Sequence, residues 1–152
     1  MPTDDQSSND PHVISVTRVI PATPEQIFGL LADPRQHSVI DGSGSVKGVL
    51  DGAPERLYLG ARFGMSMKIG APYKITNEVV EFDEPRRIAW RHAGGHVWRY
   101  LLEPVEGGTK VTEQFDMTTS KAPWMLRLMR AAKRNQRSME ATLERMAQHF
   151  SG

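Results

Sequence analysis

Apolar and polar residues alternate with period two over most of the chain and switch to a helical period at its C-terminal end. In 62–69, Phe63, Met65 and Met67 share one face and Arg62, Gly64, Ser66 and Lys68 the other, the alternation of a strand buried on one side. Residues 12–20 are rich in β-branched side chains and read as a first strand, with further strands over 46–50 and 73–82. Val79-Val80 interrupts the alternation and predicts a bulge. Residues 87–92 and 96–103 flank Ala93-Gly94-Gly95, which suits a three-residue hairpin loop with glycine in the left-handed region. That loop pairs Trp90 with Trp98 and Ile88 with Tyr100. Gly107-Gly108 reads as a two-residue turn pairing Tyr100 with Phe115 and Leu102 with Glu113. Both turns put Trp90, His92, His96, Trp98, Tyr100 and Glu113 on one face, because residues paired across strands share a face.

The period changes between Pro123 and Phe150. At ~100° per residue, Met125, Leu128, Met129, Ala132, Gln136, Met139, Leu143, Met146, Ala147 and Phe150 fall within an arc of roughly 100°. Arg127, Arg130, Lys133, Arg134 and Arg137 fall opposite. The pattern predicts one amphipathic helix of ~28 residues, ~42 Å long, able to cover a sheet. Gln136 is polar yet lies inside the apolar arc, and is expected to face the interior. Near the other end, Thr23-Pro24-Glu25-Gln26 has the form of a capping box with proline in the first turn. Ile27, Phe28, Leu30 and Leu31 give that helix an apolar face, Asp33-Pro34 ends it, and 34–38 starts a second short helix. The order predicts an α+β domain: a curved antiparallel sheet of about seven strands gripping a long C-terminal helix, with two short helices after the first strand. Residues 1–11, mostly Asp, Ser, Asn and Pro, read as a disordered tail, and 12–152 as a single domain.

Composition narrows the function. The 152 residues include 19 basic and 18 acidic side chains, a net charge of +1, which gives no general pull toward nucleic acid or acidic membranes. The basic residues of 127–137 have no aromatic residues among them, so a nucleic-acid partner is not expected. The absence of cysteine excludes disulfides, thiol catalysis and thiolate metal sites. No apolar run approaches the ~20 residues of a membrane span, and the acidic N-terminus lacks the features of a secretory signal. A cytoplasmic protein without stable membrane insertion is expected, as monomer or homodimer.

Several stretches carry a family resemblance: Val16-Thr-Arg-Val-Ile-Pro-Ala-Thr-Pro-Glu-Gln-Ile-Phe28, Leu31-Ala-Asp-Pro34, Pro85-Arg-Arg-Ile-Ala-Trp90, Trp98-Arg-Tyr-Leu-Leu-Glu-Pro104 and Gly107-Gly-Thr-Lys-Val-Thr-Glu113, followed by the final helix. With them the chain resembles the SRPBCC/START-like superfamily, in particular its bacterial polyketide cyclase/dehydrase-like branch. The resemblance implies the helix-grip fold and a cavity between sheet and helix that holds a hydrophobic small molecule, such as a lipid or polyketide. It implies no particular catalytic residue.

On the inner-face assignment, the candidate ligand-binding residues are Met65, Met67, Asn77, Trp90, His92, Trp98, Tyr100, Glu113, Met129, Gln136 and Met139. An apolar wall with a few convergent polar groups is the usual build of a small-molecule site, and methionines supply adaptable surface. Glu113 reads as a general base with a raised pKa, or as a solvated residue at the rim. Tyr100 reads as a carbonyl-polarising group or as a core tyrosine bonded to a neighbour. His92 and His96 read as an acid/base pair, as metal ligands with Glu113, or as two partly exposed histidines at a hairpin tip. The chain has no strong metal-ligand spacing and no cofactor fingerprint, so neither metal nor cofactor is expected. Asp41, in Asp41-Gly42-Ser43-Gly44, is placed near the cavity mouth. Three functions fit: a carrier or sensor of a hydrophobic small molecule, a polyketide cyclase or dehydratase, and an interaction domain with a filled core.

Overall fold

The computed structural model describes residues 10–121 and 127–151. Seven strands form one antiparallel sheet: β1 (Val13–Ile20), β2 (Val46–Val49), β3 (Arg62–Ile69), β4 (Ala71–Asp83), β5 (Arg87–His92), β6 (Val97–Val105) and β7 (Gly108–Asp116). Their spatial order is β1-β7-β6-β5-β4-β3-β2. Strands β2 to β7 follow one another, and β1 joins the far edge beside β7. Between β1 and β2 come α1 (Pro24–Ala32), a 3-10 turn (Pro34–Gln36) and α2 (His37–Ile40); α3 (Ala132–Ser151) ends the chain. The architecture is the α+β helix grip that the periodicities predict. Of the predicted tail, residues 1–9 lie outside the described residues; Asp10 and Pro11 lead into β1.

Local chemistry fixes the entry to α1. The Thr23 hydroxyl accepts from the Gln26 amide at 3.2 Å and the Gln26 side chain accepts from the Thr23 amide at 2.9 Å. This reciprocal cap satisfies two amides with no helical partner. The predicted bulge is present, since Val79 faces Trp90 and Glu81 faces Ala89, leaving Val80 as the extra residue. The β5–β6 hairpin has the expected register, with Trp90 opposite Trp98 and Ile88 opposite Tyr100. Gly95 takes a φ of 98° at its tip.

The next hairpin differs from expectation. Val105 faces Gly108, so the two-residue loop is Glu106-Gly107, and Tyr100 lies opposite Glu113 rather than Phe115. Gly107 supplies the positive φ of 88° that the turn needs. Gly108 belongs to the strand, where a Cβ would stand 2.0 Å from the Ile20 carbonyl oxygen; the close pass of β1 requires glycine there. The shift is two residues, so every side chain keeps its face.

The predicted C-terminal helix is divided. Residues 127–130 are helical, Ala131 is a turn, and α3 follows. The Ala131 amide donates to both Arg127 at 3.2 Å and Leu128 at 3.1 Å, a tightened turn. Pro123 and Met125 lie outside the described residues. Met139, Leu143, Met146 and Ala147 of α3 are buried in a core shared with Ile27, Phe28 and Leu31 of α1 and with Phe63, Ile88, Val111 and Phe115 of the sheet. The convex side of the sheet carries an ionic network. Arg99 donates to Glu81 at 2.7 Å, to Asp116 at 3.3 Å and to Gln114 at 3.1 Å.

Candidate functional site

A cavity of about 200 Å³ lies between the concave face of the sheet, α2 and α3. One water needs roughly 10–15 Å³, so the core is not filled by side chains. Leu31, Ile40, Val46, Met65, Met67, Ile75, Trp90, Trp98 and Met139 form its apolar wall. The period-two alternation of β3 to β6 delivers Met65, Asn77, Trp90, Trp98 and Tyr100 to this one surface.

Polar groups converge in the wall. Glu113, 2% exposed, projects from β7 beside Tyr100, 5% exposed, on β6. The Tyr100 hydroxyl donates a hydrogen bond to the Glu113 carboxyl, whose Oε1 has no partner. Burial pushes the Glu113 pKa up to about 8; the Tyr100 bond opposes the rise and the negative charge of Asp41 adds to it. Burial, reinforced by Glu113, pushes Tyr100 well up. At neutral pH the site therefore holds a carboxylic acid rather than a carboxylate. The Asn77 amide is buried in the same wall, with no partner for its Oδ1.

His37 of α2 joins the wall without any sequence signal having placed it there. Its Nε2 bonds the Leu31 carbonyl at 2.8 Å, and its ring stacks on Trp90 with centroids 4.7 Å apart. Burial lowers its pKa against the smaller opposing effects of Leu31 and Asp33, which keeps the ring neutral. Only the short 3-10 turn ahead of α2 points His37 inward, and a four-residue helix has too little periodicity to reveal that.

The mouth is built by the 41–45 loop. The Asp41 carboxylate accepts from the Ser43 hydroxyl at 2.7 Å and the Val46 amide at 3.1 Å. The loop is fastened to α3: the Gly42 amide donates to the Thr142 hydroxyl at 2.9 Å, and Arg145 donates to the Asp41 carbonyl at 2.9 Å. A Cβ on Gly42 would stand 2.4 Å from the Thr142 nitrogen, so the approach of loop to helix requires glycine.

Eight of the eleven expected residues line the cavity: Met65, Met67, Asn77, Trp90, Trp98, Tyr100, Glu113 and Met139. Three do not. His92 sits at the β5–β6 hairpin tip, where its ring stacks on His96 at 4.3 Å and its Nδ1 accepts from Gly94 at 2.8 Å. It borders a surface depression with Arg62, Glu78, Arg91 and Lys121. Met129 is 46% exposed, because the turn at Ala131 separates it from the α3 stripe. Gln136 is exposed, with its amide 3.5 Å from Glu140. The cavity side of α3 runs through Asn135, Ser138, Met139 and Thr142, and Gln136 is turned ~100° from Asn135. The expectation of an inward Gln136 is thus corrected: the polar inward positions are its neighbours. Of the histidine pair, His96 is the buried member, edge-on to Phe115 at 5.2 Å. Burial, with the neighbouring His92 adding, lowers its pKa to about 3.

Residues 11–151 match the family described as polyketide cyclase / dehydrase and lipid transport. The chain belongs to this family. It is 33% identical over 147 residues to the uncharacterized protein Rv0088 of Mycobacterium tuberculosis, covering 93% of this chain and 65% of that protein. The chain thus spans less than two thirds of the length of that curated relative. Among solved structures, protein Ms6760 of Mycobacterium smegmatis superposes with a TM-score of 0.71 at 20% identity, over 93% of this chain and 92% of that one. The di-domain ARO/CYC StfQ of the steffimycin biosynthetic pathway superposes with a TM-score of 0.69 at 10% identity, over 90% of this chain and 49% of that one. At these identities the two structures show a shared fold. As a polyketide cyclase / dehydrase and lipid transport family member, the chain is an SRPBCC-type domain. Among the described residues, no helix is long and apolar enough to cross a membrane, and no three His, Asp or Glu side chains group as metal ligands.

Proposed function

We propose that the protein binds a hydrophobic small molecule, lipid or polyketide-like, in the cavity between the sheet and α3, as a carrier or sensor. The observation that carries this reading is the cavity itself: about 200 Å³ of space walled by methionine, tryptophan and aliphatic side chains. A domain built only for protein interaction has no need of it, since leaving a core unfilled forfeits packing. The family's lipid-transport members support the same reading. Native mass spectrometry and organic extraction of the purified protein should recover a bound apolar species. Failure to find or load any ligand across a panel of lipids and polyketides would sink the proposal.

One observation favours a second reading, a cyclase or dehydratase acting on a polyketide-like substrate. Glu113 is a neutral acid beside a tyrosine inside an apolar cavity, where it has a proton to give at neutral pH. Turnover of a model polyketide that disappears in Glu113→Gln and Tyr100→Phe would establish this reading; turnover unchanged in both would remove it.

A further inference from the structure

Two features of the cavity bear on the polar end of its ligand. The first is a pair of buried oxygens without a hydrogen-bond partner, Asn77 Oδ1 and Glu113 Oε1, on residues 3% and 2% exposed. A buried polar atom without a partner is costly; a ligand that donates satisfies the Asn77 oxygen, and one that donates and accepts also satisfies the Glu113 carboxyl with its proton. The second feature is charge. Among the described residues, the titratable groups lining the cavity are His37, Asp41, Tyr100 and Glu113. No lysine or arginine lines it, and residues 1–9, 122–126 and 152 contain none. Arg145, which fastens the mouth loop, is exposed and donates to the main-chain carbonyl of Asp41. His37 is buried and neutral, its Nε2 bonded to Leu31.

An anionic head group in this wall would meet two carboxyl groups and no cation. A fatty-acid carboxylate brings only acceptors, so Asn77 Oδ1 would stay unsatisfied. It would also have to share the Glu113 proton next to the charge of Asp41, with nothing to compensate the buried negative charge. A hydroxyl donates and accepts, which suits Glu113 in either protonation state. An ammonium supplies three donors, and the Trp90 and Trp98 side chains border the same cavity.

We propose that the cavity selects apolar ligands whose polar end donates hydrogen bonds and carries no negative charge, with the Asn77 oxygen and the Glu113 carboxyl as its partners, and that it discriminates against fatty-acid-like anions. This rests on the ligand-binding reading above and adds the head-group class to it.

Isothermal titration of the full chain at pH 7 with four ten-carbon probes tests it: 1-decanol, decylamine, methyl decanoate and decanoate. The expected result is that decanol or decylamine binds at least tenfold tighter than decanoate, with the ester, which is neutral but cannot donate, in between. Tighter binding of decylamine than of decanol assigns a cationic head, and the reverse a hydroxyl. Decanoate binding as tightly as both donors overturns the inference while leaving the cavity a ligand site. No binding of any probe, the ester included, overturns the ligand-binding reading and this inference with it. At pH 9 the wild-type preference against decanoate should widen by a further several-fold as Glu113 ionises. In Glu113→Gln it should narrow at pH 9, because the side chain keeps its acceptor but loses its charge; a ratio unchanged from wild type there overturns the role of Glu113. Circular dichroism of the variant confirms that the comparison is between folded proteins.

Discussion

Glu113 and Asp116 lie three residues apart on β7 and face opposite sides of one sheet. On the convex side, Asp116 meets Arg99, as does Glu81 from β4. Arg99's hydrogen bonds hold the Glu81 carboxyl below its ordinary range. At Asp116 burial pushes up, but Thr118 and Arg99 together outweigh it and the pKa is lowered. On the concave side, Glu113 has Tyr100 for a partner and no cation, and burial carries it to about 8. The acidic side chains have similar chemistry, and the pleat sends them to different environments. A carboxylate clamped by a guanidinium is committed to structure. A carboxylic acid left neutral in an apolar wall remains available to a ligand or a reaction.

The contrast can be broken most severely from the convex side. Arg99→Met should lower unfolding stability by about 2–3 kcal/mol, because it strands two part-buried carboxylates, while leaving ligand affinity unchanged. Urea denaturation alongside ligand titration checks both halves, and an unaltered midpoint would show that the network adds nothing.

The next effect is a pH dependence of opposite sign on the two faces. Glu81 and Asp116 have lowered pKa values, so the stability they contribute is present above their unfolded pKa values and is lost as pH falls. Glu113 is raised from 4.5 to about 8. The folded state therefore holds a proton the unfolded state has released, and its contribution is lost as pH rises through that interval. His37, His92 and His96 are all lowered from 6.5, so their contributions are lost on the acid side of that value. The histidines still titrate in the unfolded chain just above that value and act alike in wild type and Glu113→Gln, so the comparison of the two isolates Glu113. Between pH 6.5 and 8 the stability of wild type relative to Glu113→Gln should fall by about 1.5 kcal/mol, at up to ~1.4 kcal/mol per pH unit. Equal slopes in the two proteins would contradict the assignment.

The smallest effect sharpens the comparison at one hydrogen bond. Tyr100→Phe removes the hydroxyl that opposes the rise of Glu113, at a stability cost of about 1 kcal/mol. The carboxyl carbon of Glu113, followed by NMR, should titrate above its wild-type midpoint; a downward move would mean that the tyrosine does not stabilise the carboxylate.

The sequence reveals the two faces better than it reveals the site. Period-two alternation identifies Glu113, Tyr100, Trp90 and Trp98 as inward, and this survives an error of two residues in the β6–β7 register because such an error preserves parity. The helical contribution is harder to read. Asn135, Ser138 and Thr142 face the cavity, yet polar residues on a helix look like a solvent face when inward positions are sought by apolarity. Gln136 shows the same weakness reversed, since a position near the edge of an apolar arc is not thereby buried. The break at Ala131, between two helical stretches rich in good helix formers, leaves no mark on that count, and Met129 loses its alignment with it.

The aromatic wall has a consequence for observation. The chain contains three tryptophans, and two of them, Trp90 and Trp98, border the cavity. Indole emission follows the polarity of its surroundings, and Trp90 also lies in face contact with the His37 ring. Exchanging cavity water for an apolar occupant should shift that emission to shorter wavelength and alter its yield, so the protein carries an intrinsic optical gauge of its own filling, readable without any label.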